Sequence, residues 1–142
     1  MHLIIHEDVV IFYSKQPAYN KQFRKGQPYI NKRNGIDDTG DCYGKIKVRT
    51  DTKNNGERNP ISLLDFSREV GRHPTQKPVS LMEYLIKTYT NKHELVLDFT
   101  IGSGTTAVAA LNTHRNFIGI EISEEYCKIA RQRISQAEPQ LF

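Results

Sequence analysis

The sequence predicts an α/β fold: part of a Rossmann-like domain, an incomplete central sheet with flanking helices, carrying a basic irregular insertion. Three observations predict it. Leu95-Val96-Leu97-Asp98 is an apolar run ending on a carboxylate, and it leads into the glycine turn Gly102-Ser103-Gly104. Thr105 and Thr106 follow, then a small-residue helix at Ala107–Leu111, and then a second apolar run, Asn116-Phe117-Ile118-Gly119-Ile120, ending on Glu121. Together these make a βαβ unit, with its polar residues at the carboxyl ends of the strands. The third observation is negative: from Ala18 to Pro60 no helical or strand period persists.

At 142 residues the chain is long enough for one domain with a real core. Its apolar content is 37% and its charged content 25%. No apolar run approaches the roughly 18 residues of a membrane-spanning helix. The start, Met1-His2-Leu3-Ile4-Ile5-His6-Glu7-Asp8, turns acidic too early for a signal peptide, so a cytoplasmic protein without a membrane role is expected. Cys42 and Cys127 are isolated, with no Cys-x-x-Cys and no cysteine–histidine cluster. They are read as free thiols, and no metal is expected. The net charge of +4 is local. Between Lys21 and Arg58 ten Lys or Arg face five acids, a net +5, which leaves −1 for the rest of the chain.

Val9-Val10-Ile11-Phe12-Tyr13 is a continuous β-branched and aromatic run, expected to be a buried strand that stops before Pro17. His6 beside it is assigned no chemistry. In the following stretch, glycines at 26, 35, 40, 44 and 56 and prolines at 28 and 60 break every candidate element, although Ile46–Thr50 could form one short strand. Tyr19, Phe23, Tyr29 and Tyr43 are interleaved with the basic residues. That mixture suits contact with a nucleic-acid backbone and unstacked bases, and equally suits a solvated loop. More than 40 irregular residues are unusual inside a compact domain unless they bind something.

Ile61–Phe66 reads as a short strand or turn leading inward. Pro78 then opens a helix, because its missing amide hydrogen is not needed there. Val79, Met82, Leu85, Ile86 and Tyr89 form its apolar stripe. Thr75, Gln76 and Lys77 fall at the mouth of this helix, where donors and positive charge would suit a ligand carboxylate or simple capping. At the other end of the chain Ser123 is a good N-cap, and Glu124 and Glu125 complement the start of a last helix. Tyr126, Ile129, Ala130 and Ile134 are its packing stripe, and the helix is expected to fray near Pro139.

The glycine turn admits two cofactors. Gly102 and Gly104 let the backbone turn sharply and a ligand approach closely, with the amides of Ser103 to Thr106 facing it. The spacing Gly102-x-Gly104-x-x-Ala107, with Glu121 further on, also fits a nicotinamide dinucleotide. Asp98 discriminates. A carboxylate four residues before Gly102 repels a diphosphate but suits an ammonium or sulfonium group, and S-adenosylmethionine carries both. Glu121 can accept hydrogen bonds from the ribose hydroxyls of either cofactor.

In sum, the chain resembles the DNA amino-methyltransferases that act on the exocyclic amine of adenine or cytosine, in their permuted β arrangement. His73-Pro74-Thr75-Gln76-Lys77-Pro78 resembles the motif that opens the helix before the first strand. Val96-Leu97-Asp98-Phe99 through Gly102-Ser103-Gly104-Thr105-Thr106 resembles the cofactor motif, and Asn116–Glu121 the ribose-binding strand. His6–Tyr13 resembles the strand that precedes the target-recognition region. The likeness covers nearly the whole chain in order. It implies one partial S-adenosylmethionine-dependent methyltransferase domain over residues 1–142, with a target-recognition-like insertion at 18–60 and a cofactor-binding half at 73–136.

By that resemblance, Asp98, Phe99, Gly102, Ser103 and Gly104 line the methionine end of S-adenosyl-L-methionine, and Thr105 also binds the cofactor. Thr75, Gln76 and Lys77 hold its carboxylate, and Glu121, with Ile122 beside it, holds the ribose. Lys21, Arg24, Lys25, Lys32, Arg33, Lys45, Lys47 and Arg49 contact double-stranded DNA. The resemblance also implies site-specific methylation of adenine in DNA, as in restriction–modification systems. One departure is large. The family's catalytic motif is an Asp or Asn, two prolines and an aromatic, whereas the prolines here stand at 17, 28, 60, 74, 78 and 139, none adjacent to another. No catalytic residue is therefore assigned. A sheet of about three strands, where the family has seven, is expected to leave apolar faces uncovered and to favour self-association or a second chain supplying the catalytic half. The alternatives are a binding fragment or accessory subunit without turnover, and a nicotinamide-dependent oxidoreductase.

Overall fold

The computed structural model describes residues 7–32, 51–69 and 76–137. The chain divides into two compact units, one made of Met1–Asn20 with Asp65–Phe142, the other of Lys21–Leu64.

The first unit holds the βαβ element. Strand β5 (Leu95–Asp98) and strand β6 (Asn116–Gly119) run parallel, with Leu97 beside Ile118 and Asp98 beside Gly119. Between them runs helix α2 (Thr105–Asn112); helix α1 (Val79–Tyr89) precedes and helix α3 (Glu124–Ala137) follows. Ala107, Ala109 and Ala110 are fully buried, as suits a central helix with neighbours on two sides. Ile86 of α1 packs with Ala109 and Ala110, and Val79, Met82, Val96 and Phe117 close around them. Val96 and Phe117 lie side by side on one face of the sheet, which α1 and α2 cover. The opposite face carries Leu95, Leu97 and Ile118, all about half exposed.

The helix ends follow from sequence. Pro78 is the N-cap residue of α1, in extended conformation, so the helix begins one residue after the proline. Tyr126 donates its amide to the Ser123 hydroxyl at the start of α3, the capping expected of that serine. Helix α2 ends in a Schellman arrangement: the amide of Arg115 reaches the Ala110 carbonyl (2.8 Å) and that of His114 the Leu111 carbonyl (3.0 Å). His114 takes the left-handed position, φ 60°, where glycine is usual. Buried Arg115 ties the ends of α1 and α2 together, donating to Thr90 Oγ1 (3.1 Å) and to the Thr90 carbonyl (2.7 Å).

Two expectations are corrected here. Val9–Tyr13 forms no strand and is not buried; Phe12 is 90% exposed. Its composition favours a ladder, but no described strand pairs with it, and composition without a partner makes none. The parallel sheet accordingly has two described strands, not about three. Of the two forms open to Ile61–Phe66, strand or turn, no strand is formed, and Phe66 sets its ring edge-on to Tyr84 at 6.0 Å.

The second unit has more order than its sequence suggested. Strand β1 (Arg24–Lys25) pairs antiparallel with β4 (Glu57–Arg58), and β2 (Tyr29–Asn31) with β3 (Thr52–Asn54). Strands of two or three residues, nearly all exposed, leave no readable alternation, which is why the pattern hid them. Gly56 is required at the closure. It sits at φ 97°, and a Cβ there would lie 2.5 Å from the Gly26 carbonyl oxygen. Ile46–Thr50 lies outside the described residues.

Candidate functional site

The first unit contains a cavity of about 260 Å³ between the amino end of α1 and the glycine loop. Gln76, Lys77, Met82, Asp98, Thr100, Ile101, Gly102, Ser103, Thr105 and Thr106 form its wall. It is smaller than the roughly 300–1,000 Å³ of a whole drug-sized ligand's pocket.

The loop is held from four directions. Asp98, where β5 ends, accepts the Thr100 amide through Oδ1 (3.0 Å) and the Thr106 hydroxyl through Oδ2 (2.6 Å). The Ile101 amide reaches the Ile120 carbonyl at 3.0 Å, extending the link to the second strand. Glu121 accepts the Gly102 amide at 2.9 Å through one oxygen and the Ser123 amide at 2.9 Å through the other. From α3, buried Arg133 donates to the Ser103 carbonyl (2.9 Å), the Ser103 hydroxyl (3.1 Å) and the Thr105 hydroxyl (3.1 Å). A loop fastened this way presents a preformed wall, so little ordering remains for a ligand to impose.

Gln76, Lys77, Asp98, Gly102, Ser103 and Thr105, all expected at the site, do meet around the cavity. Other expected residues stand elsewhere. Gly104, in the left-handed region at φ 84°, faces α3: a Cβ on it would sit 2.9 Å from that of Ala130. Its bareness serves helix packing. Phe99 is 73% exposed and Ile122 99% exposed, and neither lines the cavity. Glu121 is absent from the wall too, its oxygens turned to backbone amides. The amides of Gly102 and Gly104 are also spent internally, on Glu121 and on the Ile101 carbonyl (2.9 Å). Thr75 lies outside the described residues.

Other contributors were not assigned to the site: Thr100, Ile101 and Thr106 complete the wall from within the glycine-turn segment, and Met82, Arg133 and Glu69 come from further away. Met82 was read only as part of an apolar stripe, and the stripe reaches the cavity. Arg133 falls between Ala130 and Ile134, where the period of α3 demands an inward residue, and a charged side chain there was the available signal. Glu69 gave no signal. It accepts the Val79 amide through Oε1 (2.9 Å) and the Gln76 side-chain amide through Oε2 (3.1 Å), capping α1 from ten residues upstream. Lys77 also has a partner within the chain, Glu7, whose carboxyl this ammonium holds below the usual glutamate value by hydrogen bond and by charge.

Among the described residues of the second unit, basic side chains are mixed with aromatics. Lys21, Arg24, Lys25 and Lys32 are on the surface. Lys21 lies over the Phe23 ring at 5.6 Å, and Arg58 over the Tyr29 ring at 4.8 Å. Arg24 donates to the Asn59 carbonyl at 3.3 Å. Arg33, Lys45, Lys47 and Arg49 lie outside the described residues.

Comparison with known proteins bears on these features. Residues 2–132 match the family model described as DNA methylase, of the N6/N4 class. Type II methyltransferase M2.DpnII of Streptococcus pneumoniae is 50% identical over 64 residues, which are 45% of this chain and 24% of that protein. Type II methyltransferase M.BglII of Bacillus subtilis is 33% identical over 132 residues, 90% of this chain and 36% of the relative. Among solved structures, the PvuII DNA methyltransferase (cytosine-N4-specific) matches with a TM-score of 0.50 and 28% identity, covering 53% of this chain and 32% of that one. The chain thus spans about a quarter to a third of the length of these proteins.

Proposed function

The chain belongs to the DNA methylase family of N6 and N4 amino-methyltransferases, and from that premise we propose that it is the cofactor-holding and DNA-reading part of an adenine-specific DNA methyltransferase. The observation that carries this reading is the cavity at the glycine loop, with Asp98 in its wall and α1 opening onto it. The nicotinamide alternative falls away with the family match, because Asp98 opposes a diphosphate at this place.

The residues present fit S-adenosyl-L-methionine. When bound, it supplies a methyl group on a sulfonium sulfur. Asp98 offers negative potential to the cationic half of the molecule, and Ser103 and Thr105 offer hydroxyls. Met82 gives a polarisable apolar surface. Loop rigidity positions these groups before the ligand arrives, and positioning is the main work in a displacement of this kind. Lys21, Arg24, Lys25 and Lys32, with Arg33, Lys45, Lys47 and Arg49, neutralise phosphates of double-stranded DNA. Exposed Phe23 and Tyr29 provide stacking surfaces beside them. A base whose amine is to be methylated must leave the stack, and the Asp/Asn-Pro-Pro-aromatic group that receives it is not found in this sequence.

That lack favours a second reading for the isolated chain: a binding piece that turns over only with a polypeptide carrying the catalytic motif. The setting is the cytoplasm, where both DNA and cofactor are found in bacteria. Calorimetry and a tritium-transfer assay test these statements together. S-adenosylmethionine is expected to bind, Asp98→Ala to weaken it at least tenfold, and label to reach DNA only when a chain with the motif is added. Equal binding by Asp98→Ala would overturn the cofactor site, and transfer by the chain alone would overturn the division of labour.

A further inference from the structure

Four polar groups run in sequence along the edge of the cavity, from α3 across the glycine loop to the start of α1. Arg133 Nη1 donates to Ser103 Oγ at 3.1 Å, and Ser103 Oγ faces Gln76 Oε1 at 3.4 Å. Gln76 Nε2 donates to Glu69 Oε2 at 3.1 Å. The two ends of this row have fixed polarity. A guanidinium only donates and a carboxylate only accepts, so the groups between them have no choice of direction. Ser103 accepts from Arg133 and must point its own proton toward Gln76. The amide of Gln76 must give its NH₂ to Glu69 and turn its carbonyl oxygen to the loop. An amide free of such constraint could present either end.

We propose that Glu69 is a positioning residue that sets the polarity of this wall. By holding the NH₂ of Gln76, it makes that residue an acceptor on the cavity side, so that Gln76 receives the ammonium group of the cofactor's amino-acid end and not its carboxylate. This rests on the cofactor reading above and reverses the role that the motif resemblance gives Gln76. The contact between Ser103 and Gln76 is long for a hydroxyl hydrogen bond, and a carbonyl oxygen has a second lone pair, so a ligand N–H is readily received there. Asp98 in the same wall gives the same sign of potential, and Lys77, the cation of that wall, is paired with Glu7. Glu69 also caps α1, whose first turn has no acid of its own and whose Pro78 offers no side-chain cap.

The test is an exchange of the two side chains, read by calorimetry with S-adenosylmethionine and with 5′-methylthioadenosine, which lacks both ammonium and carboxylate. Glu69→Gln releases the amide, and Gln76→Glu sets two carboxylates against each other. Each alone is expected to weaken S-adenosylmethionine at least tenfold and 5′-methylthioadenosine less than threefold. The double variant E69Q/Q76E restores one amide, one carboxylate and an acceptor toward the cavity, and it is expected to regain most of the lost affinity. If Gln76 instead meets the ligand carboxylate, the double variant will bind more weakly than Glu69→Gln, which overturns the proposal. Equal losses for both ligands, tracking the melting temperature, reduce Glu69 to a helix cap and overturn it as well. Absence of S-adenosylmethionine binding by the unmodified chain would overturn the cofactor reading itself, a result distinct from binding that the exchange abolishes.

Discussion

Arg133 shows what one charged side chain does when buried. It is 8% exposed and spends one nitrogen on three oxygens of the glycine loop, so it acts as a strut between α3 and the cavity wall. Arg133→Met keeps the volume but leaves those oxygens without this donor. The expected loss is about 3 kcal/mol in urea unfolding, because bonds from a charged donor are among the stronger ones. An unchanged midpoint would show that the strut carries no load. Glu94 works at the surface. Its carboxylate accepts the Asn91 backbone amide (2.8 Å) and the Asn91 side chain (3.1 Å) just before β5. The backbone hydrogen bond, then the side-chain one, holds its carboxyl below the usual glutamate value. A lowered pKa means a contribution present above the unfolded value of about 4.3 and lost as acid protonates the folded group. Glu94→Gln should therefore flatten the fall of melting temperature between roughly pH 5 and 3, and identical curves for the two proteins would rule this out.

At the scale of elements, helix ends and crossings set the stability. Gly104 lies where α2 starts and α3 passes; Gly104→Ala meets both a left-handed backbone and the Ala130 Cβ at 2.9 Å. A loss of about 2–3 kcal/mol is expected from strain and overpacking, read as a lower denaturation midpoint. His114 is the opposite case. It holds a left-handed position at φ 60° that closes the Schellman turn of α2. His114→Gly should stabilise by about 1 kcal/mol, since only the side chain resists that conformation. A lowered melting temperature would mean that the histidine makes a contact worth more than the strain.

For the whole molecule, the decisive feature is a parallel sheet of two described strands whose Val96–Phe117 face is covered by α1 and α2 while, among the described residues, the other face stays open. Parallel sheets are stable when both faces are covered. Here Leu95 (58% exposed), Leu97 (60%) and Ile118 (49%) lie open together, with Phe99 (73%) following β5. The isolated chain is expected to bind a hydrophobic dye and to self-associate in light scattering. L97S/I118S should reduce both while moving the denaturation midpoint by less than about 0.5 kcal/mol, as substitutions at exposed sites do. Dye binding that survives the change would place the sticky surface elsewhere. No helix among the described residues is long and apolar enough to cross a membrane.

By itself the sequence determined the βαβ unit, the starts of the helices after Pro78 and Ser123 and the residues at the turn, because a glycine pair, a helix-opening proline and a capping serine are local signals. It determined the meeting of Gln76, Lys77 and Asp98 only through the resemblance, since residues twenty apart share no period. The tertiary structure decided what local signals cannot carry. Val9–Tyr13 has the composition of a strand but finds no ladder, Gly104 is bare for Ala130, and the orientation of Gln76 hangs on Glu69 and Arg133. Each of those outcomes depends on an atom contributed from a distant part of the chain, and proximity in space is not written in neighbouring letters.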